Sequence, residues 1–247
     1  MDQPEGCRLD GLRAGADASG AAARLGSPES NRLVGAEAAP TPSGLGHTRG
    51  AGGVQKKLEQ AVAEARAQHP DKAVEVWATD EHRIGLKPIL RRVWAPKGQR
   101  PIALGHHRYK WLYFTAFVQL TSGETFWYVS NGVSKPFFAA LLALFAREAG
   151  AGRERIVVLG LDNAGWHTAP NLAVPEGIRP VYLPRYSPEL QPAEHLWPVL
   201  DEPLANRHFE TLTDLEQVVT ERCRILNRDQ LKPGTDFHWW PKPAIPI

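Results

Sequence analysis

The segment IVVLGLD, residues 156–162, decides the fold class. Its first four residues are all apolar and lack the polar alternation of a strand that has one face in water. A continuous apolar run of this length is typical of a strand covered on both faces. Because the run leads directly into Asp162, it predicts a buried strand that ends on a carboxylate.

Helices and further strands are predicted on both sides of this segment. The elements predicted before it are a helix over 55–69, a strand over 73–80, a strand over 92–94, a hairpin of 110–120 and 125–129, and a helix from Ser134 to Gly150. The elements predicted after it are a strand over 179–183 and a helix opened by a capping box of Thr213 and Glu216. This order predicts an α/β fold, in which helices pack on a mixed sheet.

The first 54 residues differ in composition from the rest of the chain. They contain 11 of the 22 glycines and no Phe, Trp or Tyr. Such a segment cannot bury enough apolar surface to offset the entropy lost on ordering. We therefore expect 1–54 to be a disordered or non-native segment, 55–71 a linker helix, and 72–247 the folded domain.

Composition excludes several classes of protein. The chain has no apolar run of 18 residues, which argues against a membrane span. Its two cysteines, Cys7 and Cys223, are too few for a disulfide framework or a cysteine-built zinc site. We expect a protein of a reducing, cytoplasmic compartment.

Basic residues are concentrated in one part of a chain whose net charge is only +2. Residues 82–123 contain no Asp or Glu but include Arg91, Arg92 and Lys97. The segment fits a solvated face and a phosphate-binding surface equally well on this evidence.

Three acids occupy positions where they could meet. Asp80 ends the first predicted strand, Asp162 ends the buried strand, and Glu194 follows Pro192 at a predicted helix start. Sites in open sheets form outside the carboxyl ends of strands. A lone Asp at a strand end is more often a turn or cap residue, and Glu81 and Glu189 are also candidates. Glu81 should point to the face opposite Asp80, and spacing alone does not settle the choice.

Clustered carboxylates imply a cation. Three such groups repel one another unless a positive ion lies between them. Oxygen ligands select hard ions, Mg²⁺ or Mn²⁺, and a pair of ions roughly 4 Å apart suits phosphodiester cleavage.

Four motifs surround these acids: WATDEH at 77–82, WAPKG at 94–98, LDNAGWH at 161–167 and LPRYSPELQPAEHLW at 183–197. Together they resemble the DDE transposases of bacterial insertion sequences related to the mariner superfamily. The last motif is the most specific, with Tyr-Ser-Pro, then Pro192, Glu194 and Trp197. Gln191 stands where the family usually has Asn.

The resemblance implies an RNase H-like fold over the catalytic domain, with Asp80, Asp162 and Glu194 as catalytic metal ligands for two Mg²⁺ or Mn²⁺ ions. It implies hydrolysis at transposon ends and strand transfer into target DNA, in the bacterial cytoplasm at the nucleoid. Joining two ends would favour a homodimer. Arg91, Arg92 and Lys97 are then expected on a DNA surface. Asn163 and His167 are expected to contact DNA or orient a ligand, with fixing of the local turn as an equal alternative.

Two departures keep other functions open. Family members usually begin with a helix-turn-helix, and residues 1–54 show no such periodicity. Pro198 would clash with the carbonyl of residue 194 in a regular helix, so that helix must be short or kinked. The alternatives are a truncated, inactive DNA-binding remnant and an RNase H-like nuclease that cuts without strand transfer.

Overall fold

The computed structural model describes residues 51–94, 97, 102, 108–168 and 170–235. Of the segment predicted to be disordered, only the last four residues fall within these ranges, and they are helical. No helix in the described ranges combines the length and apolar character that crossing a bilayer requires.

Five strands form one mixed sheet in the order β3-β2-β1-β4-β5. The strands are β1 (Ala73–Gly85), β2 (Trp111–Gln119), β3 (Thr125–Ser130), β4 (Arg155–Leu161) and β5 (Ile178–Tyr182). Strand β2 is antiparallel to both β1 and β3, whereas β4 runs parallel to β1 and β5. The predicted mixed sheet is confirmed, and β4 lies inside it rather than at an edge.

Both faces of the sheet are covered, as the apolar run of β4 predicts. Val158 enters one core, while Val157 and Leu159 enter another on the opposite face. The first core includes side chains of α1 (Ala51–Gln68) and α4 (Leu212–Ile225), and the second is closed by α2 (Lys135–Glu148). The mixed sheet therefore lies between two helical layers.

Strand β1 distributes its side chains between the same two cores. Ala78 belongs to the core of α1 and α4, and Trp77 belongs to the core of α2. Because alternate residues of a strand point to opposite faces, Asp80 follows Ala78 and Glu81 follows Trp77. This agrees with the prediction that the two acids point apart.

The predicted strand at 92–94 is wrong. These residues form no strand, and β1 pairs instead with β2 as far as Gly85 and Trp111. The segment after β1 bonds to a distant loop, where Asn206 N–H donates to the Ile89 carbonyl (2.8 Å). Three residues of apparent alternation are too few to define a strand against such contacts. The turn predicted at 96–98 has only Lys97 within the described residues.

Helix ends follow local capping rules, with one shift from the prediction. Ser134 caps α2 as expected, and Gly150 (φ 70°) follows the helix end in a left-handed conformation. The capping box of α4 is formed by Thr211 and Asp214, not by Thr213 and Glu216. Both pairs have the spacing of a capping box. The extended backbone of Thr211 shows that the helix begins two residues earlier than predicted.

Helix α1 packs on the sheet. Its residues Leu58, Val62 and Ala65 are buried in the same core as Val76 of β1. The predicted division between a linker helix and a catalytic domain stays a prediction.

Candidate active site

Asp80 lies in the middle of β1 rather than at its carboxyl end, which corrects the prediction. The antiparallel pairing with β2 carries the strand on to Gly85, whereas the parallel pairing with β4 ends at Ala78 and Gly160. Asp80 therefore lies just past the last residue that β1 pairs with β4. The Asp80 side chain nevertheless lies at the end of the sheet where β4 also ends, as the side chain of a strand-end residue would.

Trp197 holds the Asp80 carboxylate in place. Its indole Nε1–H donates to Asp80 Oδ2 at 2.8 Å. The Trp197 ring stacks on the His82 ring, with centroids 4.9 Å apart and planes 11° apart. His82 Nε2 in turn lies 2.9 Å from Asp201 Oδ1. The Trp that follows Glu194 by three residues thus fixes the acid on β1.

Burial sets the charge of Asp80. The residue is only 8% exposed, and this burial raises the pKa of Asp80 to about 7. The Trp197 hydrogen bond opposes the rise in pKa, while the negative charges of Glu194 and Glu81 add to it. Near neutral pH, Asp80 is therefore poised between its protonated and ionised forms.

Asp162 directly follows β4, as predicted. Its Oδ1 accepts hydrogen bonds from Ala164 N–H (3.0 Å) and from His167 Nδ1–H (2.5 Å). Partial burial alone would raise the pKa of Asp162, but the bonds from His167 and Ala164 outweigh it and lower the pKa. The Asp162 side chain is 46% exposed, so this carboxylate is ionised and open to solvent.

His167 lies behind Asp162 and is completely buried. Its Nδ1–H faces Asp162, and its Nε2–H donates to Glu81 Oε1 at 3.0 Å. Burial alone would lower the pKa of His167, but the two carboxylates raise it to about 9. A buried imidazole cannot contact DNA as it stands, so orienting a ligand and fixing the local turn remain as the predicted roles of His167.

Asn163 ties two strands together. Its Nδ2–H donates to the Leu183 carbonyl, which joins the segment after β4 to the residue after β5. This bond fits the predicted alternative of fixing the local turn.

Glu194 lies on a 3-10 turn, Pro192–Leu196, rather than at the start of a regular α-helix. Trp197 N–H donates to the Glu194 carbonyl, and α3 (Trp197–Leu200) is a single turn with Pro198 near its start. The prediction that Pro198 keeps this helix short is confirmed.

Gln191 fixes the Glu194 turn on β1. Its Nε2–H donates to the Thr79 carbonyl at 2.9 Å, one residue before Asp80. Helix α5 (Arg228–Thr235) also packs against the turn. Glu194 itself is exposed, so its carboxylate can change position while the backbone beneath it is held.

The three acids line one pocket of about 460 Å³. Asp80 enters it from β1, Asp162 from the end of β4, and Glu194 from the 3-10 turn. The structure therefore brings together the acids singled out in the sequence. Arg185 and Tyr186 also line the pocket, and Tyr186 is 97% exposed with a left-handed backbone (φ 58°). Sequence reasoning missed both as site residues, although they belong to the most specific motif.

The chemistry of the pocket suits a hard cation. Its acids supply only oxygen donors. The pKa of Asp80 is raised mainly by burial and further by the negative charges of Glu194 and Glu81, and a cation would offset that repulsion. The Oε1 atom of Gln191, a residue that also lines the pocket, is buried without a hydrogen-bond partner among the described residues. Within those same ranges, no three His, Cys, Asp or Glu side chains are arranged to hold an ion as they stand. Joint ligation therefore requires the side chains to draw closer, and the exposed Glu194 is free to do so.

The basic residues predicted to bind DNA lie outside the pocket. Arg91, Arg92 and Lys97 are exposed. Arg91 Nη2–H donates to the Pro198 carbonyl (2.9 Å), and its backbone N–H donates to Asn206 Oδ1 (2.9 Å). Arg91 thus braces the loop after β1, whereas no such brace is seen for Arg92 or Lys97 among the described residues. Arg100, His106 and His107, which also belong to the acid-free basic stretch 82–123, lie outside the described residues.

The chain is similar to known proteins over a long stretch that includes all the residues of the pocket. A sequence-family model described as DDE superfamily endonuclease matches residues 75–216. The uncharacterized protein y4pE/y4sA of Sinorhizobium fredii is 44% identical over 72 residues, which are 29% of this chain and 51% of that protein. The chain thus spans about half the length of this curated relative.

Solved structures share the fold. The Mos1 transposase paired-end complex with the left transposon end gives a TM-score of 0.53 at 17% identity, covering 84% of this chain and 65% of that one. The mariner Mos1 paired-end complex with Mg gives a TM-score of 0.51 at 16% identity, covering 82% and 63%. The likeness confirms the RNase H-like fold predicted for the sheet and its helices.

Proposed function

The chain belongs to the DDE superfamily of endonucleases, and we propose that it carries the catalytic domain of a DNA transposase. The proposed reaction is divalent-metal-dependent hydrolysis of phosphodiester bonds at transposon ends, followed by transfer of the freed strand end into target DNA. The observation that carries the proposal is the shared pocket of Asp80, Asp162 and Glu194. All three acids fall within the residues that match the family.

Asp80, Asp162 and Glu194 would hold two Mg²⁺ or Mn²⁺ ions, with the side-chain amide oxygen of Gln191 (Oε1) beside them. When bound, such ions polarise a phosphate, activate the attacking oxygen and stabilise the leaving one. Asp80 must lose its proton to take part, and Trp197 aids this by donating a hydrogen bond to the ionised carboxylate. Asp162 is already ionised and presents an exposed carboxylate. Mos1, whose fold the chain shares, has been crystallised as a paired-end complex with Mg.

DNA is the proposed partner. Arg185 lines the pocket, where a guanidinium can pair with a phosphate. Arg91, Arg92 and Lys97 would contact the backbone further along the duplex, and Asn163 lines the pocket close enough to touch a bound strand. Joining two transposon ends would bring two copies of the chain together as a homodimer. Action on chromosomal DNA would place the protein at the bacterial nucleoid, in the cytoplasm.

The test is cleavage of DNA that carries the terminal sequences of the protein's own element. Glu194→Gln should abolish nicking in Mg²⁺ while leaving DNA binding intact. Glu189→Gln is the matched control, because Glu189 lies on the neighbouring 3-10 turn, Pro188–Leu190, and does not line the pocket. Equal nicking by the two variants would overturn the role of Glu194.

The products separate the alternatives. Transfer of the cut strand into a second DNA molecule supports the transposase. Cleavage without joining would favour an RNase H-like nuclease. Salt-sensitive DNA binding with no nicking in Mg²⁺ or Mn²⁺ would favour an inactive DNA-binding remnant.

A further inference from the structure

A chain of three hydrogen-bonded groups, two of them buried, links β1 to the segment that follows β4. Glu81 leaves β1 on the face opposite Asp80, and His167 bridges it to Asp162 at the end of β4. The His167 side chain is fully buried and that of Glu81 is 5% exposed. Neither residue lines the pocket of the three acids.

We propose that Glu81 and His167 act as a clamp that fixes the orientation of the Asp162 carboxylate. They are positioning residues, and the proposal rests on the proposed function of the Asp162 site. Outer groups that hydrogen-bond a metal ligand fix its orientation and raise metal affinity, although they never touch the ion.

The hydrogen bonds on Asp162 support this role because they select one of its two oxygens. His167 Nδ1–H and Ala164 N–H both donate to Oδ1. Among the described residues, no donor reaches Oδ2, so that oxygen keeps its lone pairs for a ligand. The clamp therefore sets the rotation of the carboxylate and spares one oxygen of an exposed group.

His167 is itself held from several sides, which a clamp requires. Its backbone N–H donates to the Ala164 carbonyl (3.0 Å), and its carbonyl accepts from Tyr182 Oη–H (3.1 Å). The Phe138 ring of α2 packs on the imidazole, with centroids 4.2 Å apart. With its ring and backbone fixed, His167 presents Nδ1–H to Asp162 in one orientation, and Glu81 on β1 holds the other side of the ring.

Burial of these charges needs a reason beyond stability. Removing charged groups from water is costly, and well-packed apolar side chains of similar volume often stabilise a fold as well or better. A role in holding the 162–168 segment together is the competing explanation. The two roles differ in which nitrogen of His167 matters, because only Nδ1 reaches Asp162.

Two variants of His167 separate these roles. The Asn side-chain amide can replace Nδ1, so His167→Asn keeps a donor for Asp162 and loses the link to Glu81. The Gln side-chain amide can replace Nε2, so His167→Gln keeps the link to Glu81 and loses the donor for Asp162. Mn²⁺ affinity of the full chain, measured by electron paramagnetic resonance, is the main readout, with the melting temperature in EDTA as the second.

The clamp predicts that His167→Gln weakens Mn²⁺ binding about 10- to 100-fold, and that His167→Asn restores much of the loss. Melting temperatures of the two metal-free variants should not follow the same order. Equal Mn²⁺ affinity in the two variants, or losses that track melting temperature alone, would overturn the clamp.

If His167→Gln does not fold, Glu81→Gln takes its place, because its amide oxygen can still accept from Nε2–H. Mn²⁺ binding should then weaken only a few-fold, because the neutral amide holds the imidazole less firmly than the carboxylate does while Nδ1–H still reaches Asp162. Wild-type affinity in a folded Glu81→Gln protein would overturn the proposal. Failure of the clamp and failure of the proposed function remain distinguishable. Loss of Mn²⁺ affinity in a protein that never cuts DNA would support the clamp alone. Normal Mn²⁺ affinity and cutting in His167→Gln would support the function alone.

Discussion

Asp80 and Asp162 line the same pocket, but the protein holds them in opposite electrostatic states. Asp80 is buried in the middle of β1, and its only side-chain donor among the described residues is the neutral indole of Trp197. Asp162 is half exposed at the end of β4 and has a cationic partner in His167. The pKa of Asp80 is therefore raised to about 7, whereas that of Asp162 is lowered.

The two acids therefore depend unequally on an external cation. His167 already neutralises part of the charge near Asp162, so this carboxylate is ionised and oriented before any metal arrives. Asp80 faces the negative charges of Glu194 and Glu81 without such a partner. A bound cation would relieve that repulsion, so we expect metal binding to change Asp80 more than Asp162.

Loss of either carboxylate should impair DNA cleavage the most, because both acids line the proposed metal site. Asp80→Asn and Asp162→Asn should each reduce DNA cleavage by about 10³-fold, because metal polarisation supplies several kcal/mol and about 1.4 kcal/mol corresponds to a factor of ten. Single-turnover cleavage in Mg²⁺ measures the loss. If either variant cleaves DNA at a rate within a few-fold of the wild type, that acid is not part of the mechanism.

The second test should change the free energy of unfolding of the two variants in opposite directions. The folded-state pKa of Asp80, about 7, lies above its ordinary value of 3.8, so the folded protein binds the extra proton and loses stability as pH rises between these values. Above pH 7 in EDTA, Asp80→Asn should stabilise the protein by up to about 4 kcal/mol, with little gain near pH 4. Asp162→Asn should destabilise it by removing the charged partner of His167.

Urea unfolding at pH 5 and pH 8 measures this contrast. For Asp80→Asn, comparison with the wild type at one pH cancels the contribution of His167, which is lost as pH rises toward 9. For Asp162→Asn, the loss of that contribution is part of the expected destabilisation. Destabilisation by both variants at pH 8 would contradict the opposite electrostatic states.

The third test removes only the donor on Asp80. Trp197→Phe should lower cleavage about 10- to 100-fold, in the range of other outer-sphere losses. Since the indole bond opposes the rise in the Asp80 pKa, its loss should move the acidic limb of the pH–rate profile to higher pH. Trp94→Phe is the control, because Trp94 is 90% exposed and lies outside the pocket. An unchanged limb in Trp197→Phe would show that the indole does not set the charge of Asp80.

Basic residues outside the pocket should make only a modest contribution to DNA affinity. Changing Arg92 and Lys97 together to Ala should weaken binding a few-fold and reduce the slope of log affinity against log salt by about 2. Arg153→Ala is the control, because Arg153 is exposed at the opposite end of β4 from Asp162. The same slope in both variants would place the DNA away from the loop after β1.

The sequence predicted the two acids with unequal success, for physical reasons. Asp162 follows an apolar run that is typical of a buried strand, so its place at the strand end could be predicted from local sequence. Asp80 could not be placed within β1, because the strand continues only through pairing with β2, more than 30 residues later in the chain. The resemblance brought Asp80, Asp162 and Glu194 together where spacing alone did not.

Other features of the site could not be predicted for the same reason, because they depend on contacts between residues far apart in the sequence. The motif around Asp162 singled out His167, but its hydrogen-bond partner Glu81 lies 86 residues earlier in the chain. The loop at 92–94 was predicted as a strand. Its path is set by Arg91, which bonds to Pro198 and Asn206, and a local sequence pattern cannot reveal such distant contacts. Trp197 belonged to the most specific motif, yet its contact with Asp80 crosses 117 residues.

Crystals of the protein grown with DNA and Mn²⁺ would show most directly what the three acids do together. Anomalous diffraction at the manganese edge locates the ions without reference to any assumed ligand. We expect manganese peaks within about 2.5 Å of carboxylate oxygens of Asp80 and Asp162, with Glu194 turned inward to complete the site. Manganese bound elsewhere, or a pocket that stays free of metal while DNA occupies it, would contradict the account.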